Sequence, residues 1–150
     1  MKVFLEVDRG PSAGIQVELQ PNACRAIGRL GDTDPLATIV DRVGRVLDED
    51  DQALVRAHLA RRGSERQPIR RQRSDAAFAR GSDILLDDDL TSRTHAMVFL
   101  DADGLSLVDL GSTNGTFVNK RPVTDADLED GDVVHIGRSR FVVRVQPPRT

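Results

Sequence analysis

The chain has 150 residues and a formal net charge of −3, with 39% hydrophobic, 30% charged and only 3% aromatic residues and neither Trp nor Tyr. That composition suits one globular domain with an aliphatic core. It argues against base stacking and against binding of nucleic acid by the chain as a whole. The single cysteine, Cys24, excludes an intramolecular disulfide and a multi-cysteine zinc site, and reads as a small buried hydrophobe.

The first thirty residues read as strands. Val3, Leu5 and Val7 alternate with Lys2, Phe4 and Glu6, and Arg9-Gly10-Pro11 signals a turn. Ile15, Val17 and Leu19 alternate again, Pro21-Asn22 stops that strand, and Arg25 to Arg29 forms a third. No apolar run in the opening residues is long enough for a signal peptide, and nothing resembles a membrane span, so the expected location is cytoplasmic.

From about residue 31 to 80 the pattern changes. Leu36, Ile39, Val40, Val43, Val46 and Leu47 recur at helical spacing, although Gly44 interrupts them. Leu54, Val55, His58 and Leu59 form a second helical stripe, opened by Asp48 to Asp51 and closed by Arg61, Arg62 and Gly63, as the helix dipole favours. Residues 64–77 lack periodicity and read as a mobile loop. Arg61, Arg62, Arg66, Arg70, Arg71 and Arg73 are either a solvated face or an electrostatic contact for an acidic partner.

Short strands return after Gly81: Ile84–Leu86, Ala96–Leu100, Leu105–Val108, Thr116–Val118, Val133–Ile136 and Phe141–Val145, with turn signals at Asp103-Gly104 and Asp130-Gly131. The expected fold is all-β, a two-sheet sandwich. It would be a single domain over 1–150, with a core of 1–30 and 81–146 and a helical insertion at about 31–80.

Three strand-end segments gather groups that suit a phosphate dianion. They are Gly28-Arg29, Thr91-Ser92-Arg93-Thr94-His95 and Gly111-Ser112-Thr113-Asn114-Gly115-Thr116. Arginine supplies charge-assisted donors, hydroxyls add single hydrogen bonds, and an Asn amide both donates and accepts, as gripping a peptide main chain requires. The run Asp83-Ile84-Leu85-Leu86-Asp87-Asp88-Asp89-Leu90-Thr91-Ser92-Arg93-Thr94-His95-Ala96 resembles the D-I-x-L-x-D-x-x-x-S-R-x-H-A block of forkhead-associated (FHA) domains. Asp109 to Asn119 resembles their D-L-G-S-T-N-G-T-x-V-N block, and Leu128 to Gly137 their L-x-x-G-D-x-I-x-I-G block. These blocks follow one another in the family's order across residues 81–146.

The resemblance implies a phosphothreonine-binding adaptor in Ser/Thr kinase signalling, not an enzyme. Its partner would be a phosphothreonine-containing protein or peptide, either a Ser/Thr kinase or a kinase substrate, with no cofactor and no membrane. By position, Arg29 and Ser92 would contact the phosphate, and Arg93 the phosphate or the peptide. Thr113 would line the pocket and Asn114 would hold the peptide backbone. Gly28, His95 and Gly115 would support the loops. The family passes from its Gly-Arg to its Asp-Ile within a few residues, whereas more than fifty intervene here, so Arg80, just before Gly81-Ser82-Asp83, is an alternative phosphate contact. Lys120 also departs from the family's more frequent Gly after V-N. The competing reading keeps this fold as a scaffold and binds a protein partner through the inserted helices without phosphate.

Other acid and histidine signals have plainer readings. Asp87-Asp88-Asp89 reads as a solvated turn, because adjacent residues on extended chain point different ways, and no metal site is expected. Asp101 to Gly104 lacks the length and the downstream Glu of a calcium loop. His58 and His135 read as packed or half-exposed residues.

Overall fold

The computed structural model describes residues 2–30, 49–61, 79–81, 83–101 and 104–146. In chain order these form β1 (Lys2–Arg9), β2 (Gln16–Leu19), β3 (Ala23–Arg29), α1 (Glu49–Arg61), β4 (Ala79–Arg80), β5 (Ile84–Leu86), β6 (Ala96–Asp101), β7 (Gly104–Asp109), β8 (Thr116–Val118), β9 (Arg121–Val123), β10 (Asp125–Leu128), β11 (Val133–Ile136) and β12 (Ser139–Gln146).

Two six-stranded sheets result. One has the order β2-β1-β12-β11-β8-β9; the other runs β10-β7-β6-β3-β4, with β5 also paired to β3. The alternation of β1 explains the first sheet's packing. Val3, Leu5 and Val7 are buried against the second sheet, while Lys2 and Arg9 face out. Leu105 and Leu107 of β7, Ile136 of β11 and Phe141 and Val143 of β12 join the same core. The fold is the expected β-sandwich.

β6 breaks the alternation for a physical reason. Every residue from Ala96 to Asp101 is buried. Ala96, Val98 and Leu100 enter the core between the sheets, whereas Met97 and Phe99 pack on the outer face with Cys24, Val108 and Leu110 beneath Val55 and Leu59 of α1. A strand buried on both faces reads as an unbroken apolar run. Truncation of Leu59, which is 2% exposed, to alanine is expected to cost about 2–5 kcal/mol of stability, read by urea denaturation.

The helical insertion expected over 31–80 is corrected. Among the described residues it contains one helix of 13 residues, with acids in its first turn as the sequence suggested. β4, at the end of the supposed insertion, pairs with Ala23 and Cys24 as an edge of the second sheet. One helix about 20 Å long, at about 1.5 Å per residue, covers that sheet's outer apolar patch. The stripe expected at 36–47 and the basic loop at 64–77 lie outside the described residues.

α1 is also fixed by a polar tie. His58, 1% exposed, places Nδ1 2.9 Å from Asp125 Oδ2 and Nε2 3.0 Å from Ser106 Oγ. Ser106 is the polar position on the outer face of β7, and the His58 ring leans on Phe99 at 5.6 Å. The Ser–His–Asp order is that of a nucleophile relay, but Ser106 is 0% exposed. No substrate reaches it, and the cluster satisfies buried polar groups instead.

Candidate functional site

The site is built where β3 ends beside two loops, residues 87–95 between β5 and β6 and residues 110–115 between β7 and β8. Register fixes the meeting point. β5 pairs in parallel with the end of β3, Ile27 opposite Ile84 and Arg29 opposite Leu86, while Ile27 also pairs with Ala96 of β6. The Arg29 N–H donates to the Ser92 carbonyl at 3.1 Å. The exposed Arg29 guanidinium extends over the same loop, where Nη1 donates to the Thr91 carbonyl at a long 3.4 Å. Gly28 is buried in β3 opposite Leu85.

The second junction is made by Ser92. Its Oγ accepts from the Thr113 N–H at 3.0 Å. A hydroxyl that accepts in this way keeps its own proton to donate elsewhere. The exposed Asn114 donates through Nδ2 to the Leu90 carbonyl at 2.8 Å, so the amide that sequence reasoning reserved for a peptide also braces the neighbouring loop. Its carbonyl oxygen and second N–H retain the chemistry to bond a main chain. Arg93 is exposed on the Ser92 loop.

His95 locks the two loops from below. It is 0% exposed. Nδ1 accepts from the Ser92 N–H at 3.0 Å, which requires the proton on Nε2, and Nε2 donates to the Gly115 carbonyl at 2.9 Å. Gly115 adopts φ +85°, the left-handed region where glycine is favoured. Burial of the ring pushes the His95 pKa below the ordinary value of 6.5, against the smaller opposing effects of the Gly115 carbonyl and Asp109. The unfolded chain therefore binds the proton first. Stability is full above about pH 6.5 and falls as the pH drops from there towards the lowered folded value. Denaturation midpoints at pH 7.5 and pH 5.5 should show this fall, and His95→Gln should flatten it.

Two aspartates that sequence reasoning left aside organise these loops. Asp109 accepts from the N–H groups of Gly111 and Ser112 at 3.0 Å and from the hydroxyls of Ser112 and Thr116. Its signal was present as Asp-x-Gly-Ser, an Asx-turn pattern. Asp88 corrects the reading of Asp87-Asp88-Asp89 as a solvated turn. It is 2% exposed and accepts from Ser139 Oγ and the Arg138 N–H, both at 2.8 Å, and from the Leu90 N–H at 3.0 Å. Burial opposes its charge, but these hydrogen bonds outweigh burial and lower its pKa. Gly137, at φ +59°, leaves the room: a Cβ there would lie 2.8 Å from Asp88 Oδ2 and from Thr91 Oγ1.

Arg80 is not brought to this junction. It pairs with Cys24, at the opposite end of β3 from Arg29, roughly 16 Å away at about 3.3 Å per residue. Its Nη2 instead meets Asp83 Oδ1 at 3.1 Å. Cys24 is fully buried, as expected, and burial pushes its thiol pKa up to about 12. Among the described residues no group of three or more His, Cys, Asp or Glu is arranged to hold a metal, and no helix is long and apolar enough to cross a membrane.

Residues 71–137 match the model of the FHA domain. Over that segment, a little under half of the chain, it is similar to FHA domains. The match begins within the range first assigned to the insertion, consistent with β4 belonging to the sheet. Among solved structures, the chain superposes with TM-score 0.59 at 25% identity, covering 99% of this chain and 100% of the other, on one from an analysis of phosphothreonine-dependent FHA domain interactions. It also superposes on the FhaA FHA domain complexed with the intracellular domain of Rv3910, with TM-score 0.55 at 25% identity, covering 95% and 99% of the two chains. Curated relatives include the glycogen accumulation regulator GarA of Mycobacterium tuberculosis, 48% identical over 66 residues, which are 44% of this chain and 41% of GarA. The oxoglutarate dehydrogenase inhibitor of Corynebacterium jeikeium is 46% identical over 61 residues, 41% of this chain and 42% of that protein. The chain thus matches about two fifths of the length of these relatives.

Proposed function

We propose that this FHA domain binds phosphothreonine-containing proteins as a non-enzymatic adaptor in Ser/Thr kinase signalling. One observation carries the reading. Two hydrogen bonds, Arg29 N–H to the Ser92 carbonyl and Thr113 N–H to Ser92 Oγ, bring a guanidinium, a hydroxyl and a hydroxyl–amide pair to one exposed junction. A phosphorylated side chain carries about −1.5 to −2 charge, and this set of donors includes no carboxylate of its own. Arg29 and Ser92 hold the phosphate, and Arg93 adds a donor to the phosphate or the peptide. Thr113 lines the pocket and Asn114 bonds the peptide backbone. The position of Arg29, and the pairing of Arg80 with Asp83, favour Arg29 as the phosphate contact. The solved complex of an FHA domain with an intracellular domain, and regulators such as GarA among the relatives, support a protein partner, either a Ser/Thr kinase or its substrate. β1 to β3 contribute to both sheets, which supports one domain over 1–150.

The test is calorimetric titration of the purified chain with one threonine peptide in phosphorylated and unphosphorylated forms. The phosphorylated form is expected to bind at least about a hundredfold more tightly, a difference of about 2.7 kcal/mol. Equal binding of the two would contradict the proposal.

A further inference from the structure

The turn between β1 and β2 touches the loop that carries Ser92. Ser12 Oγ accepts a hydrogen bond from the Asp87 N–H at 2.9 Å, across an exposed contact. Asp87 opens the segment that ends at Ser92. Beyond Asp87, the segment is held at Asp88 by the β11–β12 hairpin, at the Leu90 carbonyl by Asn114, and at Ser92 by Arg29, His95 and Thr113. Ser12 therefore tethers the start of the binding loop.

Two features make this hydroxyl more than a tether. First, the turn is open around it: Ser12 is half-buried, but Pro11, Ala13 and Gly14 are exposed, as is Arg9, three residues before it. A cation at a fixed offset from a hydroxyl is what a kinase with an acidic substrate groove reads. Second, its surroundings punish added negative charge. Asp87 and Asp89 are exposed on the segment it touches, with the Asp88 carboxylate between them. The cations of the adjoining hairpin are already engaged, Arg138 with Asp89 at 3.6 Å and Arg140 with Asp8 through two hydrogen bonds.

We infer that Ser12 is a phosphoacceptor whose modification loosens residues 87–92 and weakens the phosphothreonine site; the second half rests on the function proposed above. The donor is ATP on an Arg-directed Ser/Thr protein kinase. Ser12 Oγ attacks the γ-phosphorus, the new O–P bond forms, and the bond from that phosphorus to the β,γ-bridging oxygen breaks. The hydroxyl proton passes to the kinase's base and ADP leaves. The product sets a dianion on the oxygen that accepts from the Asp87 N–H, next to the exposed Asp87 carboxylate, where like-charge repulsion disrupts a contact.

The experiment compares three chains: unmodified, Ser12→Ala, and one carrying phosphoserine at position 12, installed by genetic-code expansion. Phosphoserine is expected to speed amide hydrogen exchange across Asp87 to Ser92 without any peptide, and to weaken phosphothreonine-peptide binding by about fivefold or more. Ser12→Ala, which removes one exposed hydrogen bond, should stay within about threefold of the unmodified chain. An Arg-directed kinase with ATP should label Ser12 in the unmodified chain and fail to label it in Arg9→Ala, read by mass spectrometry. Unchanged exchange with phosphoserine in place, or an unlabelled Ser12, would overturn the inference. Failure of the unmodified chain to prefer the phosphorylated peptide would defeat the site's reading alone, because the exchange still reports what Ser12 does to the loop.

Discussion

Arg29→Ala is expected to lower affinity for a phosphothreonine peptide by about a hundredfold or more while leaving the fold intact. Truncating one partner of a charge-assisted pair typically costs about 2–5 kcal/mol of binding. The fold loses little, because among the described residues the exposed Arg29 side chain makes one long hydrogen bond, at 3.4 Å. Arg29→Lys should restore part of the affinity, since an ammonium keeps the charge but not the planar fork. Arg80→Ala should show the opposite pattern. It removes an ion pair from the Asp83 carboxylate, whose side chain is 1% exposed, and so lowers stability while leaving affinity nearly unchanged. Calorimetry and urea denaturation on the same three variants read both patterns. Loss of phosphopeptide binding in Arg80→Ala but not in Arg29→Ala would reverse the assignment.

His95→Ala should cost about 3 kcal/mol or more of folding stability and also weaken phosphopeptide binding. The ring is 0% exposed and bridges the two binding loops. Alanine leaves the Ser92 N–H and the Gly115 carbonyl without their partner and opens a cavity beneath the site. Ser92 and Thr113 then lose the brace that holds their separation. Urea denaturation gives the stability loss. Titration under conditions where the variant is still folded gives the binding loss, which should fall on affinity without changing the preference for the phosphorylated peptide. Unaltered stability would mean that His95 does not join the loops.

The strands that were legible in the sequence are those with one wet face. Val3, Leu5 and Val7 of β1 alternate with polar or half-buried neighbours, and that period is what a sheet between core and solvent imposes. β9 and β10 gave no such sign. β9 reads Arg-Pro-Val at a sheet edge, where Pro costs no ladder hydrogen bond, and β10 carries two aspartates at the edge of the other sheet. The unbroken apolar run of β6 was read only as a short strand; the structure shows that it is buried on both faces, with α1 as the outer cover. The His58 tie joins residues 48 and 67 positions away, and no local pattern encodes such pairs.

The site was legible in part for a similar reason. Ser92, His95, Thr113 and Asn114 lie in short loops whose turn chemistry is local. The choice between Arg29 and Arg80 depends on register, because Arg29 ends β3 while Arg80 pairs beside it, and only the parallel pairing puts Arg80 opposite Cys24, at the other end of that strand. Asp88 was indistinct among three consecutive aspartates. The structure selects it because Gly137 leaves space for its carboxylate beside the Arg138 N–H and the Ser139 hydroxyl.

The most direct test of the convergent site is an amide-shift titration of the isotope-labelled chain with a phosphothreonine peptide. Binding at the junction predicts the largest changes at Arg29, Ser92, Arg93, Thr113 and Asn114, with Ser106 and the residues of α1 left almost unmoved. Changes centred on α1, with the Arg29, Ser92 and Thr113 amides unaffected, would contradict the account.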